Sequence, residues 1–355
     1  MVFYPRFIFF LLFLLSANIK LLAQPEKITH TVYLIGDAGK DTSTGKALQL
    51  LQQQLIIHSN STVIFLGDNV YPRGFILNDN NSRKRLLSQL KILKEYRGNV
   101  FFIPGNHDWK AGRYKGLKTI KDEAEFVKTY LKENTGVKNK HALTFLPENG
   151  FPGPESQKLA EKLRLIIIDT QWWLHFYPVG KNGTRKHTKE EFFIKLDSLL
   201  QLAKLNNEQV IIAGHHPLYS NGSHSKSRQP WRFIINYTPF QVFGMMGMNK
   251  FLVQDIPEIR YARMRKKLLE VIDKHNNIIY AAGHEHNLQY FKENNNRYIV
   301  SGAGSKKSEI KQDKYKCLFI DGKKTGFFKI DYFEDGKIQV EVFRTEENSE
   351  IIETF

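Results

Sequence analysis

The chain has 355 residues, 41% of them apolar and 25% charged, with 24 Gly and 12 Pro; these proportions exclude a disordered or fibrous main state and suffice for one large domain or two ordinary ones. Its single cysteine, Cys317, excludes a disulfide scaffold and a Cys-rich zinc module, so any metal must be held by His, Asp, Glu, Asn or Tyr. A formal net charge of +16, from 52 Lys and Arg against 36 Asp and Glu, favours anionic partners (phosphate esters, nucleic acid or an anionic membrane surface) without choosing among them.

Residues 1–23 read as a secretory signal peptide. Arg6 precedes an unbroken apolar run over 7–15, and Leu21-Leu22-Ala23 before Gln24 offers a cleavage point. The run is shorter than the ~20 residues that span a bilayer. Lys20 and the long side chain of Leu21 keep an uncleaved signal anchor as the alternative. The mature chain is expected to be exported, to a periplasm or the medium. Strands are expected at 31–35, 62–66, 99–103, 163–169, 209–213 and 278–281, and helices at 46–57, 82–96, 120–131, 189–205 and 262–275. From 298 onward the pattern turns to strands, at 298–301, 316–320, 326–333 and 337–344. Such alternation predicts a layered α/β domain with helices covering the sheet faces. Residues 145–156, 181–184 and 221–227 read as loops. Asn182 and Asn221 head Asn-x-Ser/Thr sequons, which matter only in a host that glycosylates exported proteins.

Five polar clusters directly follow predicted strands: Gly36-Asp37-Ala38-Gly39, Gly67-Asp68-Asn69-Val70-Tyr71, Gly105-Asn106-His107-Asp108, Gly214-His215-His216-Pro217 and Gly283-His284-Glu285-His286. Open α/β sheets carry their sites at the carboxyl ends of strands, so these loops can converge. Each sets Gly beside a metal ligand, and Gly allows the sharp turn that aims the side chain. Singly, Gly-Asp at a strand end is an ordinary turn or cap, and a lone His is an ordinary hydrogen-bonder. Together, carboxylates, an amide and imidazoles suit a pair of hard-to-borderline metals sharing one bridging carboxylate. His30, His58, His141, His175, His187 and His275 lie outside any cluster and are read as ordinary side chains.

On these motifs the sequence from about Thr31 to about Glu346 resembles the calcineurin-like metallophosphoesterases. Within them it resembles the purple acid phosphatases, particularly the small animal-type (tartrate-resistant) enzymes. Gly-Asp-x-Gly in the first cluster, Tyr71 three residues after Asp68, and the Gly283-His284-Glu285-His286-Asn287-Leu288-Gln289-Tyr290 run carry that likeness, with Gly302-Ala303-Gly304 beside them. The resemblance implies a four-layer α/β/β/α sandwich of two mixed sheets flanked by helices, and a single catalytic domain over 24–355. It implies that Asp37, Asp68, Tyr71 and His286 bind the first metal, Fe(III). It further implies that Asp68, Asn106, His215 and His284 bind the second, Fe(II), Zn(II) or Mn(II), with Asp68 bridging. A phenolate on Fe(III) would colour the protein. His107 would face the substrate phosphate with Asn106, stabilising phosphoryl charge or protonating the leaving oxygen. Asp108 would orient its ring. His224 resembles the second outer histidine of the animal-type enzymes, with a plain loop histidine as the alternative. His216 replaces an aromatic residue of that pattern and is expected to support the ligands or touch substrate.

The implied reaction is hydrolysis of phosphate monoesters, a water acidified by the metals attacking phosphorus in line. The same site on diesters or pyrophosphates, in nucleotides or lipid-linked phosphates, is the alternative. A non-catalytic anion-binding fold is disfavoured by the complete ligand set. A nucleic-acid module has charge alone in its favour, so no nucleic acid partner is expected. The partner is instead a small phosphorylated substrate. Peroxide-driven redox chemistry at iron is a conceivable side activity. An apolar stretch, 225–261, holds Trp231, Phe233, Phe240, Phe243 and three Met residues. It reads either as an extra packed subdomain or as a lid over the site that favours apolar leaving groups or touches a membrane.

Overall fold

The structure is a computed structural model that describes residues 27–55, 60–175, 185–223, 259–310 and 313–355. The segment 1–23, most of the 225–261 stretch, His224 and Asn182 lie outside them. No helix among the described residues is long and apolar enough to cross a membrane.

Two mixed sheets form the centre. The first has the order β13-β12-β11-β1-β2-β3, built from β1 (Ile28–Ile35), β2 (Ser61–Phe65), β3 (Asn99–Phe102), β11 (Gly326–Phe333), β12 (Ile338–Arg344) and β13 (Glu350–Thr354). The second has the order β10-β8-β9-β7-β6-β5-β4, built from β4 (Glu155–Ala160), β5 (Leu163–Ile167), β6 (Gln209–Ala213), β7 (Ile278–Ala282), β8 (Leu288–Glu293), β9 (Asn296–Ser301) and β10 (Cys317–Asp321). β1, β2 and β3 run parallel, as do β5, β6, β7 and β9. The late strands add antiparallel to β1, and β4 and β8 add antiparallel at the second sheet.

Alternation along β1 shows why these strands read as continuous apolar runs. Val32 and Leu34 join Ile64, Phe101, Leu165, Ile211 and Ile279 in a core between the two sheets. Tyr33 and Ile35 join a second core with Leu48, Leu51 and Leu90, residues of α1 (Lys46–Leu55) and α2 (Asn80–Leu90). Strands buried on both faces lose the polar alternation of a half-exposed sheet. α3 (Gly116–Asn134), α5 (Arg185–Leu205) and α6 (Ile259–Ile272) contribute Val127, Leu196 and Leu268 to the same helix-covered core. Two mixed sheets flanked by helices are thus the observed fold.

The expected strands and helices are present, with ends moved by a few residues. Residues 259–261 begin α6 and do not belong to the apolar insertion; Tyr261 is a core residue. The stretch expected as a loop over 145–156 ends in β4. α4 (Thr170–Leu174) is a short helix capped by Asp169, whose side chain accepts from the Trp172 N–H.

Candidate metal centre

The carboxyl ends of β1, β2 and β3 in one sheet and of β6 and β7 in the other carry the five clusters to one place. Asp37, Asp68 and His215, all buried, bring ligand atoms within 4.8 Å of one another. Two donor sets surround this core. In the first, Tyr71 Oη donates to Asp37 Oδ1 at 2.7 Å and lies 3.1 Å from His286 Nε2, itself 3.5 Å from Asp37 Oδ1. In the second, Asn106 Oδ1 lies 3.0 Å from His215 Nε2 and 3.1 Å from His284 Nδ1. Asp68 joins them: its Oδ1 is 3.4 Å from His215 Nε2, and its charge acts on Tyr71 and Asp37. The seven residues singled out as ligands are therefore brought together as two sets of donors sharing one carboxylate.

Backbone chemistry fixes their aim. The Leu66 carbonyl, 2.8 Å from His215 Nδ1, is an acceptor and so holds the proton on Nδ1. Nε2 is then directed at Asn106 Oδ1, 3.0 Å away, and at Asp68 Oδ1, and this convergence of an imidazole, an amide and a carboxylate suits a metal ion. His284 N–H donates to Asp37 Oδ2 at 2.7 Å and His107 N–H to Asp68 Oδ1 at 2.8 Å. Asp37, Asp68 and His284 all sit in the left-handed region, at φ 57°, 55° and 69°. Non-Gly residues held there cost on the order of 1–3 kcal/mol each and cluster at functional sites. The glycines serve mostly close approach. Only Gly67 among the five leading glycines has a positive φ, 88°, whereas a Cβ on Gly105 would lie 2.3 Å from Asp68 Oδ1 and one on Gly283 2.6 Å from Asp37 Oδ2.

The electrostatics suit a cation. Burial, then the charge of Asp68, pushes the Asp37 carboxyl well above its usual range. Burial acts on Asp68 in the same sense, but His215, His107 and the His107 N–H outweigh it and hold Asp68 well below the carboxylate range. Burial and both carboxylates push the Tyr71 phenol upward. A bound cation would reverse the sign for Asp37 and Tyr71 and add to the one Asp68 already has, favouring carboxylate and phenolate.

Three expectations change. Asp108 does not orient His107. Its oxygens accept from the N–H groups of Gly105, Asn69 and Val70 at 2.8–3.2 Å, so it fastens the second and third loops together. His107 Nδ1 instead meets the Pro72 carbonyl at 2.7 Å, which leaves Nε2 on the ligand side, 3.8 Å from Asp68 Oδ2. His216 has no accessible surface; its Nδ1 pairs with Thr170 Oγ1 at 2.8 Å and its ring packs on His284 at 4.5 Å. It supports a ligand and does not face substrate. Asn221 is buried and its side chain bonds Tyr315 and Lys314, which rules it out as a glycosylation acceptor.

Some site residues were not anticipated. Lys306 Nζ lies 4.1 Å from the Tyr71 ring centroid. Glu123 of α3 is buried beside Asp108, and burial, then Asp108, pushes its carboxyl well up. Asp169 accepts from Trp109 Nε1 at 2.7 Å, and burial raises it to about 7. Lys306 follows the Gly302-Ala303-Gly304 turn after β9, so the strand-end rule that found the five clusters reaches it too. Glu123 sits mid-helix and gives no such signal.

Residues 30–302 match the family described as calcineurin-like phosphoesterase. No curated protein matches the sequence. Among solved structures, the fold is similar to that of GAP50, the anchor in the inner membrane complex of Plasmodium, with 21% identity, a TM-score of 0.55, and 93% of this chain and 88% of that one covered. It is also similar to a dimetal phosphatase from Danio rerio, with 12% identity, a TM-score of 0.51, and 92% and 99% covered.

Proposed function

This chain belongs to the calcineurin-like phosphoesterase family, metal-dependent phosphoric ester hydrolases, and from that premise we propose that it is a phosphatase of the purple acid type acting on small phosphate monoesters. The observation that supports this most is the pair of donor sets joined by Asp68, with the Tyr71 oxygen in the first. Asp37, Asp68, Tyr71 and His286 would hold Fe(III), and Asp68, Asn106, His215 and His284 a divalent Fe, Zn or Mn ion. Such a pair supplies a polarised phosphoryl group and an acidified water. The proposal also includes export of the chain, carried by residues 1–23.

The protein's own groups do the rest. His107 is fixed through Nδ1 by the Pro72 carbonyl, which leaves Nε2 beside the centre, 3.8 Å from Asp68 Oδ2. A proton on Nε2 makes the ring a donor to a phosphoryl oxygen or to the departing alcohol oxygen. Asp68 accepts the His107 N–H and so sets the distance between that ring and the ligands. Asp108 keeps the loops in register, and His216 keeps the His284 ring in place through Thr170. The proposal is tested by the visible spectrum of wild type and Tyr71→Phe, with aryl monoester and diester hydrolysis assayed side by side at mildly acidic pH. A visible band lost in the variant, and faster monoester hydrolysis, are expected. A colourless two-metal protein preferring diesters would overturn the purple acid and monoester assignments.

A further inference from the structure

Lys306 stands beside the centre without a part in the reading above. The turn that carries it is stitched to the first ligand loop. Gly304 N–H donates to the Gly36 carbonyl at 3.0 Å, and a Cβ at Gly304 would lie 2.5 Å from that oxygen. Ser305 Oγ donates to the Asp37 carbonyl at 2.5 Å and accepts the Lys40 N–H at 3.2 Å. Lys306 is thus fixed relative to Asp37, not carried on a free loop. Its ammonium packs on the Tyr71 ring at 4.1 Å from the centroid, and the His107 ring packs on that same ring at 4.4 Å. Two basic side chains therefore share one aromatic platform at the partly exposed side of the site.

Burial disfavours the Lys306 ammonium, and the carboxyl groups of Asp37 and Asp68 oppose that cost. Two bound metal ions would claim those carboxylates and surround the ammonium with like charge. Its favourable partner is then an anion. We propose that Lys306 is a specificity-determining residue that binds a second phosphate, adjacent to the phosphoryl group at His107, so that among phosphate monoesters the site favours those carrying a second phosphate there over esters of neutral alcohols, with inorganic pyrophosphate as the simplest probe of that second contact. This rests on the binuclear phosphatase reading of the site and narrows its substrate class.

The test uses the full chain loaded with metal. Calorimetry compares the affinities of inorganic pyrophosphate and orthophosphate, and kinetics compare kcat/KM for pyrophosphate with that for an aryl monoester. Wild type is expected to bind pyrophosphate at least about tenfold more tightly, the effect of one charge-assisted contact. Lys306→Met and Lys306→Gln should remove that preference in both readouts, and Lys306→Arg should keep it. Lys307→Met, an exposed neighbour, should also keep it. No preference in wild type, or one that survives Lys306→Met, overturns the proposal. Tighter metal binding in Lys306→Met with the preference intact would also overturn it, leaving Lys306 a counterion of the carboxylates. Should the protein hydrolyse no phosphate ester, the phosphatase reading fails, while the calorimetric comparison still decides the role of Lys306.

Discussion

His107 illustrates how a single bond assigns a role. Its Nδ1 faces a carbonyl that can only accept, so the reactive nitrogen is Nε2. Substituting His107→Ala should lower kcat about 10²- to 10⁴-fold, the usual range for a lost proton donor. Metal content should stay at wild-type level, because His107 belongs to neither donor set; steady-state kinetics with metal analysis check this. The five clusters that hold the candidate ligands were legible in the sequence because each combines a strand end, a glycine and a metal-binding side chain. Asp108 was misread because sequence adjacency to His107 suggests a pair, whereas consecutive side chains in a turn diverge, and its oxygens found backbone N–H groups. For His216 two roles are open in the sequence, supporting the ligands or touching substrate, and its packing fits the first. Its neighbour His215 faces the centre, and His216 turns the other way, against Thr170 and His284.

Among the elements, the long buried strands and amphipathic helices announced themselves, and the short edge elements did not. β4 reads Glu-Ser-Gln-Lys-Leu-Ala, too polar to stand out, and is an edge strand paired only with β5. α4 spans five residues, less than a periodicity can register. β13, another edge strand, is held partly by side chains from the other sheet. Glu353 accepts from Tyr290 Oη at 2.5 Å and Lys292 Nζ at 2.9 Å, and pairs with Arg297, which also covers the Phe355 ring. Burial would raise Glu353, but Arg297, Tyr290 and Lys292 outweigh it and hold it down at about 2. A folded pKa below the unfolded one means stability that is present above the ordinary glutamate range and lost as pH falls toward 2. Glu353→Gln should therefore cost about 2 kcal/mol at pH 7 and almost nothing near pH 2, by denaturant melts at both values.

For the whole molecule, the sandwich places buried acids where two sheets meet, and that has a pH signature. Burial raises Asp37 well above its usual range and both Asp108 and Asp169 to about 7. A carboxyl raised on folding favours the folded state at low pH and costs stability as pH rises from about 4 toward the folded value. The metal-free protein is thus expected to melt at lower temperature at pH 8 than at pH 5. Metal loading should raise Tm by more at pH 8, because ligands bound only by the folded state add their binding energy; thermal scans with and without chelator decide this. The alternation of apolar strands and helices made a layered α/β domain legible, and the two-sheet arrangement came from the family resemblance. What the sequence did not carry was which loops of different sheets would touch, since the Gly302–Lys306 turn is fastened to the first loop by the Gly304 N–H and the Ser305 hydroxyl on backbone carbonyls, which leave no partner motif to read.

The account turns on seven side chains forming one two-metal centre with Asp68 between the ions. The most direct measurement is the metal stoichiometry of the folded chain, by mass spectrometry after equilibration with iron, zinc and manganese, for wild type and Asp68→Asn. Two ions per wild-type chain, and no more than one in the folded variant, are the expected result. A wild-type chain that binds none, or an Asp68→Asn chain that still binds two, would contradict it.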